Sequence, residues 1–320
     1  MTTLVTGGKG FIGARVIKNL VERGEEVVCL EPKLTPGRLG DLASKITMVE
    51  GDIVDYASIA DIMSKYKVDK VAHMVFFSAE ERGVSERPEK AGDLYRQMMI
   101  MNTGTFQIFE AARLAGVKKF VYPSSIQYHG IPWDGPEPVN EDSPARPNRG
   151  YGIGKFLCEH LAHEYNRLLK TDIVTIRIPG VYGPGVRIGA RGVNLIGTAG
   201  ALGNEIPFPY PAKQYIVLAH VDDIAEIAAR ILFAPKLPHE VYHIGGHYAS
   251  YGDMAEIGRK IIPDMKITFD ENGPYGRMFQ IDCSRMTKEI GVKHRSLYDG
   301  YLDLINVTRK ENNLPPIEKK

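Results

Sequence analysis

The stretch Gly7-Gly8-Lys9-Gly10-Phe11-Ile12-Gly13 decides the fold of this chain of 320 residues. It follows Thr2–Thr6, a short apolar and β-branched run that is typical of a buried parallel strand. After it, apolar residues recur with a helical period from Phe11 until Gly24. A glycine-rich turn between a strand and a helix lets the backbone approach a pyrophosphate, whose charge the first helical turn stabilises. We therefore predict a dinucleotide site at this turn.

The end of the second predicted strand indicates which dinucleotide binds. The run Glu26–Leu30 leads into Glu31, eighteen residues after Gly13. A carboxylate there accepts hydrogen bonds from both ribose hydroxyls and repels a 2′-phosphate, so NAD is favoured over NADP. The alternative interpretation of Glu31 is a solvated loop acid, and the nearby Lys33 and Arg38 keep NADP open.

A second signature, Tyr151-Gly152-Ile153-Gly154-Lys155, begins a predicted helix about 140 residues later, and Ser125 lies between the two signatures. Four-residue spacing puts Tyr151 and Lys155 on one helical face. A tyrosine with its usual pKa of about 10 accepts a proton near neutral pH only if an adjacent cation stabilises the phenolate. We predict that Tyr151 is the acid/base, that Lys155 lowers its pKa and that Ser125 holds the substrate oxygen. The alternative for Ser125 is an ordinary strand-end hydroxyl.

The segment Tyr66-Lys67-Val68-Asp69-Lys70 has the same Tyr-x-x-x-Lys spacing and must be distinguished from the second signature. It lies between a predicted helix, 59–66, and a predicted strand, 70–74. That junction is the amino end of a parallel strand, whereas ligands bind beyond the carboxyl ends. We therefore interpret Tyr66 as a structural residue.

Composition narrows the class of protein further. With 43% apolar residues, the chain can bury one large α/β core and a smaller lobe. Its formal net charge of +1, with both signs interleaved, favours neither nucleic acid nor a membrane as partner. Cys29, Cys158 and Cys283 lack metal-ligand spacing, so no metal is predicted and the thiols are expected to be reduced. We expect a cytoplasmic protein, because the first strand starts at residue 2 and no apolar run reaches the length of a membrane span.

Strands and helices alternate through residue 178, which predicts an α/β fold: a Rossmann-type doubly wound parallel sheet with a smaller C-terminal α/β substrate lobe. The later predicted strands are 46–50, 70–74, 118–122 and 172–178, and the later helices are 59–66, 93–114 and 152–169. We predict an NAD-binding domain over 1–179, which 215–245 rejoins through a strand near 215–219, a helix over 223–233 and a strand over 240–244. Residues 180–214 and 246–320 are predicted to form the substrate-binding lobe.

These motifs, taken together and in order, resemble the extended short-chain dehydrogenase/reductase family, also called the NAD-dependent epimerase/dehydratase family. The matching segments are the opening fingerprint, Gly51-Asp52-Ile53, Val71-Ala72-His73-Met74, Asn102-Thr103-Gly104-Thr105, Ser124-Ser125 with Gly130, Tyr151 with Lys155, Arg177–Pro184 and His220-Val221-Asp222-Asp223. The resemblance implies cofactor contacts from Gly7, Gly10, Phe11, Ile12, Gly13, Glu31, Asp52, Ile53, Met74, Val75, Tyr151, Lys155 and Pro179. It also implies that Asn102 helps to organise the proton path, with a helix-packing amide as the alternative. Finally, it implies a homodimer in which the helices 93–114 and 152–169 pack across a two-fold axis as four helices.

Departures from the family pattern bear on the substrate. Ile126-Gln127 follow Ser125 where the family's dehydratases have an acidic pair, so we predict no 4,6-dehydratase activity. Gly180 stands where many sugar-nucleotide epimerases have an asparagine, and the apolar stretch 216–219 replaces an Arg-Asp pair. A diphosphate needs cationic or amide donors. Arg187, Arg191 and Arg277 are the candidates to replace the missing ones.

Aromatic residues near the predicted site favour a less polar substrate. Phe76 and Phe77 follow the strand 70–74, although these two can equally fill a core, and Trp133 lies in the loop after Ser125. The predicted substrate contacts are Phe77, Ser78, Ser125, Gly180, Arg187 and Arg277. We predict an NAD-dependent oxidoreductase that moves a hydride between NAD and a secondary alcohol or ketone on a small non-nucleotide substrate. The alternative is an NAD-dependent sugar or nucleotide-sugar epimerase that uses the same serine, tyrosine and lysine. A catalytically inactive cofactor sensor is disfavoured, because the Tyr/Lys pair is kept.

Overall fold

The computed structural model describes residues 1–76, 91–185, 193–273 and 278–319. Its strands are β1 (Thr2–Thr6), β2 (Glu26–Glu31), β3 (Thr47–Glu50), β4 (Val68–His73), β5 (Lys119–Ser125), β6 (Ile173–Ile178), β7 (Gly180–Tyr182), β8 (Ile206–Phe208), β9 (Tyr215–His220), β10 (Val241–His243), β11 (His247–Ser250) and β12 (Ile267–Phe269). Its α-helices are α1 (Phe11–Glu22), α2 (Tyr56–Lys65), α3 (Ala91–Met98), α4 (Gly104–Leu114), α5 (Gly150–Leu169), α6 (Val221–Phe233), α7 (Tyr251–Ile261), α8 (Ser284–Glu289) and α9 (Leu297–Glu311).

Within these described residues, a seven-stranded parallel sheet in the order β10-β6-β5-β4-β1-β2-β3 forms the centre of the molecule. Alternate strand residues face opposite layers of helices, because successive side chains of a strand point to opposite faces. Val5 packs with α1 and α6, whereas its neighbour Leu4 packs with α2, α4 and α5. Fully burying one such side chain contributes about 1.5–3 kcal/mol. This architecture confirms the predicted doubly wound fold.

Close packing explains the glycines of the opening turn. Gly7 has φ +71°, and a Cβ there would lie 2.7 Å from the carbonyl carbon and oxygen of Met74, which follows β4. A Cβ on Gly13 would overlap the carbonyl oxygen of Gly7. The turn therefore reverses tightly against the end of β4 and leads straight into α1, so that the first N–H groups of α1 lie at the carboxyl end of β1.

A second group of elements lies beside the parallel sheet. A three-stranded sheet, β11-β9-β7, and a two-stranded sheet, β12-β8, share one core with α7 and α9. The prediction that the strand near 215–219 rejoins the first domain is wrong, because β9 pairs with β7 and β11 instead. The following α6 and β10 do return: α6 packs in the same core as α1, and β10 pairs with β6. Met286 and Val292 also pack in that core, so part of 246–320 belongs beside the large sheet. The functional division into a cofactor part and a substrate part stays a prediction.

The predicted helix 93–114 has an irregular middle. α3 and α4 are joined by a π-helical turn, Met99–Thr103, which contains Asn102. Such turns bulge a helix locally, and here the bulge turns the buried Asn102 side chain toward α5.

Candidate active site

Ser125, Tyr151 and Lys155 meet at the carboxyl end of the parallel sheet. Ser125 is the last residue of β5, is 7% exposed, and its Oγ accepts a hydrogen bond of 3.2 Å from the Gln127 N–H. Tyr151 and Lys155 lie one turn apart at the start of α5. Ser125 also hydrogen-bonds to Tyr151. The three residues that the sequence analysis grouped therefore lie together in the structure. Their catalytic roles remain predictions.

Tyr66, by contrast, lies at the opposite end of the sheet. It directly follows α2 and precedes β4, and its ring packs against the core formed by α2, α4 and α5. This placement fits the structural interpretation of Tyr66.

Burial sets the protonation states of the tyrosine and the lysine. Lys155 is 3% exposed, donates a hydrogen bond of 2.6 Å from Nζ to the carbonyl oxygen of Pro123, and lies 4.9 Å from the Tyr122 ring centre. This burial lowers the pKa of Lys155 to about 8. Burial also raises the pKa of Tyr151 to about 12, and the hydrogen bond with Ser125 opposes that rise. The protein alone thus keeps Tyr151 protonated, and a further positive charge near its hydroxyl is needed before it can accept a proton at neutral pH.

Replacing Lys155 with methionine is expected to stabilise the fold by about 2 kcal/mol at pH 7 while greatly reducing activity. The lowered pKa of Lys155 means that the folded state disfavours its charge, and losing the bond to Pro123 offsets part of the gain. Wild-type stability should also rise as the pH rises from about 8 toward 10.5, because the unfolded lysine binds more protons there. Urea unfolding of both proteins at pH 7 and pH 10 measures this. Equal stability of the two proteins at pH 7 would contradict the prediction.

Asn102 connects the π-helical turn to the helix that carries Tyr151. Its Nδ2 donates to the carbonyl oxygen of Gly154 at 2.9 Å and to Cys158 Sγ at 3.3 Å. Its buried Oδ1 has no hydrogen-bond partner among the described residues. The visible contacts therefore correspond to the helix-packing alternative, and a place in the proton path stays a prediction.

His73, which the sequence analysis noted only within a family motif, lies in a buried hydrogen-bonded chain. Its Nδ1 is 2.6 Å from Thr6 Oγ1 and its Nε2 is 3.0 Å from Thr105 Oγ1. Thr105 donates to the carbonyl oxygen of Met101, so the His73 Nε2–H must donate to Thr105 and the Thr6 hydroxyl to Nδ1. Burial lowers the pKa of His73 to about 3, so the ring is neutral. The chain ties the ends of β1 and β4 to α4 directly beside the glycine turn.

The predicted cofactor residues surround the carboxyl ends of β1, β2 and β4. Glu31 is 7% exposed and its Oε1 accepts a hydrogen bond of 2.8 Å from the Lys9 N–H; burial raises the pKa of Glu31, and this contact opposes the rise. Asp52 follows β3 and is exposed, whereas the Ile53 side chain is buried against Gly104, so only the Ile53 backbone is free to face a ligand. Of the remaining predicted residues, one group lies at the start of α1: Gly10, Phe11 and Ile12. The backbone of Met74 and Val75 lies against Gly7 of the same turn, and Pro179 is buried directly after β6. A glycine-rich turn beside the first N–H groups of α1 fits a dinucleotide pyrophosphate.

The predicted substrate contacts are only partly within the described residues. Phe77, Ser78, Arg187 and Arg277, together with Arg191, lie outside them. Gly180 begins β7 and is exposed. Phe76 is 55% exposed and its ring meets the Tyr151 ring edge-on, with 5.8 Å between ring centres.

Trp133 does not line the site. It is 2% exposed, and its Nε1 donates to the carbonyl oxygen of Pro136. Its ring packs in a separate core with Ile126, Val139, Val217, Phe279 and Ile281. The prediction that Trp133 lies near the site and favours a less polar substrate is therefore wrong, because the loop after Ser125 folds this ring inward.

A buried ion pair lies behind Ser125 and was not predicted. Arg177 on β6 forms a bidentate salt bridge with Glu159 on α5, and its Nη1 donates to the carbonyl oxygen of Glu141 at 2.8 Å and lies 3.2 Å from His129 Nε2. Burial lowers the pKa of His129 to about 4, and the Arg177 charge acts in the same direction. Removing one partner of a buried pair costs about 3–5 kcal/mol, so this cluster strongly holds the loop that follows Ser125.

His220, Asp222 and Asp303 form a cluster that resembles a metal site but does not fit one. Their ligand atoms lie within 4.8 Å of one another. The Asp222 N–H donates to His220 Nδ1, however, so the His220 proton is on Nε2, which faces Asp303. Arg295 Nη1 lies 3.7 Å from both carboxylates and supplies the positive charge. We interpret the cluster as an ion-pair network.

Among the described ranges, no helix combines the length and the apolar character that crossing a membrane requires.

Comparison with known proteins defines the class of enzyme. The model of the NAD dependent epimerase/dehydratase family matches residues 3–245. The chain belongs to the NAD-dependent epimerase/dehydratase family, and its cofactor is NAD. The predictions of family, fold and cofactor are thereby confirmed.

Relatives within this family differ in activity. The chain is 35% identical over 190 residues to a UDP-glucose 4-epimerase of Mycolicibacterium smegmatis, which covers 58% of this chain and 57% of that protein. It is 29% identical over 312 residues to a dTDP-glucose 4,6-dehydratase of Streptomyces antibioticus, covering 92% and 88% of the two chains. The crystal structure of a Thermotoga maritima UDP-glucose 4-epimerase with UDP-glucose superposes with a TM-score of 0.83 at 23% identity, covering 98% and 100%, which shows the shared fold.

Proposed function

We propose that the protein is an NAD-dependent epimerase that acts on a nucleotide sugar. The observation that carries this proposal is the cluster of Ser125, Tyr151 and Lys155 beside the glycine turn, in a chain whose relatives include UDP-glucose 4-epimerases. These relatives favour the epimerase alternative over the oxidoreductase with a small substrate that the sequence analysis put first. An epimerase removes a hydride from one carbon and returns it to the opposite face, so the reaction has no net redox change.

The described residues suit this chemistry. Bound NAD would supply the hydride acceptor, and its oxidised ring would carry the further positive charge that Tyr151 needs. Ser125 would hold the substrate oxygen, and Tyr151, deprotonated beside that positive charge, would take the alcohol proton on its phenolate oxygen and give it back. Lys155 is enclosed by Tyr122, Tyr151 and the Pro123 carbonyl.

Two observations bear on the other activities. Ile126, directly after Ser125, is 3% exposed in a core, and Gln127 follows it, so neither supplies the carboxyl group that water elimination needs. This supports an epimerase over a dehydratase. The exposed ring of Phe76 beside Tyr151 and the apolar residues of β9 favour a second candidate, a dehydrogenase of a less polar alcohol.

One experiment separates these candidates. Freshly purified protein is denatured without added cofactor, and the released NAD(H) is quantified per subunit. An epimerase should retain close to one NAD, because the cofactor is regenerated in place, and should convert UDP-glucose to UDP-galactose without accumulating NADH. Little retained NAD, with NADH formed on an alcohol panel, would support the dehydrogenase. A dehydrated keto product from dTDP-glucose would support a dehydratase.

We also propose that the protein is a homodimer formed through α3, α4 and α5. These helices expose large apolar side chains that would otherwise face water. The exposed residues are Leu94, Tyr95, Leu114, Ile153, Leu157, Leu168 and Leu169, whereas Leu161 packs inward.

Replacing Leu157, which is 48% exposed, with glutamate is expected to dissociate the dimer, because two like charges would face each other in an apolar interface. Light scattering should change from about two chain masses to one. Leu202→Glu, at a 39% exposed leucine outside these helices, is the control and should leave the mass unchanged. A wild-type protein of one chain mass would refute the dimer.

A further inference from the structure

Two arginines near the glycine turn hold consecutive carbonyl groups of one short segment. Arg15 Nη2 donates to the carbonyl oxygen of Pro184 at 3.0 Å, and Arg38 Nε donates to that of Gly185 at 3.1 Å. Pro184 and Gly185 follow β7, which belongs to the three-stranded sheet. The segment therefore runs from the smaller sheet to the cofactor end of the large one.

The positions of the arginines place this segment at the start of α1. Arg15 is on the second turn of α1, and helical side chains lean toward the helix N-terminus. Arg15 is further held by a 2.9 Å salt bridge from Nε to Asp222. Arg38 lies in the segment Gly37–Lys45 beyond β2, which forms 3₁₀-helical turns interrupted at Gly40, and Gly37 packs against Lys9 of the glycine turn. A segment bonded to both arginines must pass close to the turn that receives the pyrophosphate.

We propose that Arg15, Arg38 and the carbonyl groups of Pro184 and Gly185 form a clasp that closes over the pyrophosphate of bound NAD and slows its release. The arginines act as positioning residues, because they hold the segment rather than touch the reacting atoms. Gly183 at φ +135° and Gly185 at φ +83° adopt backbone conformations that glycine favours and that allow the segment to turn here. Release of NAD would require both hydrogen bonds to break.

The clasp also links the two sheets. Pro184 and Gly185 continue directly from β7, which pairs with β9, and β9 leads into α6 and Asp222. A substrate bound against the smaller sheet would therefore stabilise the same segment that retains NAD. A cofactor that stays bound through many turnovers is what the proposed epimerase needs, but the clasp requires only that NAD binds.

Substitutions at Arg38 test the clasp without a substrate. Arg38→Gln keeps an N–H donor at the position of Nε but removes the charge, whereas Arg38→Met puts a methyl group there and removes both. Each protein is loaded with NADH, and the loss of its bound fluorescence is followed after excess NAD is added. Arg23→Met is the matched control, because Arg23 lies just beyond the far end of α1 and pairs with Glu226. Thermal unfolding checks that every variant is folded.

The clasp predicts that NADH leaves Arg38→Met about tenfold faster than wild type, the effect of losing one hydrogen bond from a charged donor. The rates of NADH release from Arg38→Gln and Arg23→Met should remain within about twofold of the wild-type rate. A twofold change is well below the effect of losing one hydrogen bond. An unchanged release rate in Arg38→Met would overturn the proposal. Equally fast NADH release from Arg38→Met and Arg38→Gln would also overturn the proposal. Both variants lose the charge of Arg38 but only Arg38→Met loses the donor, so equal rates would mean that the charge acts directly on the phosphates.

Discussion

Replacing Tyr151 with phenylalanine is expected to lower turnover at least about a hundredfold, the usual contribution of a positioned acid or base. The substitution removes only the hydroxyl, which hydrogen-bonds to Ser125, while the ring keeps its contact with Phe76. Cofactor retention should be unchanged, because the glycine turn and Glu31 lie elsewhere on the sheet edge. The measurement is kcat with whichever of the tested substrates the wild-type protein converts, together with the NAD content per subunit.

Tyr66→Phe is the matched control for this experiment. Tyr66 begins the other Tyr-x-x-x-Lys segment, but it lies at the amino end of β4, away from the glycine turn. This variant should retain near-normal turnover. Near-normal turnover of Tyr151→Phe would sink the assignment of Tyr151, and a large loss in Tyr66→Phe would show that the effect is not specific to the site.

Lowering the pH from 7.5 to 5.5 is expected to remove several kcal/mol of stability. Burial lowers the pKa of His73 to about 3 and those of His129 and His220 to about 4, and it also lowers the pKa of His243 well below its usual value. The unfolded chain therefore binds more protons than the folded one below pH 6.5, so this stability is complete above pH 6.5 and is lost as the pH falls toward the folded pKa values. At pH 5.5 each of His73, His129 and His220 costs about 1.4 kcal/mol, or about 4 kcal/mol for the three, and His243 acts in the same direction.

Buried carboxyl groups act in the opposite direction and offset part of this loss. Burial raises the pKa values of Glu31, Glu141 and Asp303, so their protonation favours the folded state as the pH falls. Urea unfolding at the two pH values measures the net change. An equal unfolding midpoint at both pH values would contradict the prediction.

Local patterns were enough to predict most of the large sheet. The predicted strand 118–122 is β5, the predicted helix 152–169 is α5, and the interpretation of Tyr66 followed from its place between a helix and a strand. Hydrophobic period, glycine turns and Tyr/Lys spacing are properties of neighbouring residues, so they can be read along the chain. The sequence also determined the family and the cofactor, because the glycine fingerprint is local.

Features that depend on contacts between residues far apart in the sequence could be established only from the tertiary structure. One edge of β9 pairs with β7 and the other with β11. No local sequence pattern distinguishes this arrangement from one in which β9 pairs with β10. Trp133 became core because Val139 and Phe279 fold around it. The tautomer of His73 follows from hydroxyl groups 67 and 32 residues away, its neutral state follows from burial, and Arg15 donates a hydrogen bond to a carbonyl oxygen 169 residues away. Burial and long-range hydrogen bonds set pKa values and hold segments together, and both exist only once the chain is packed.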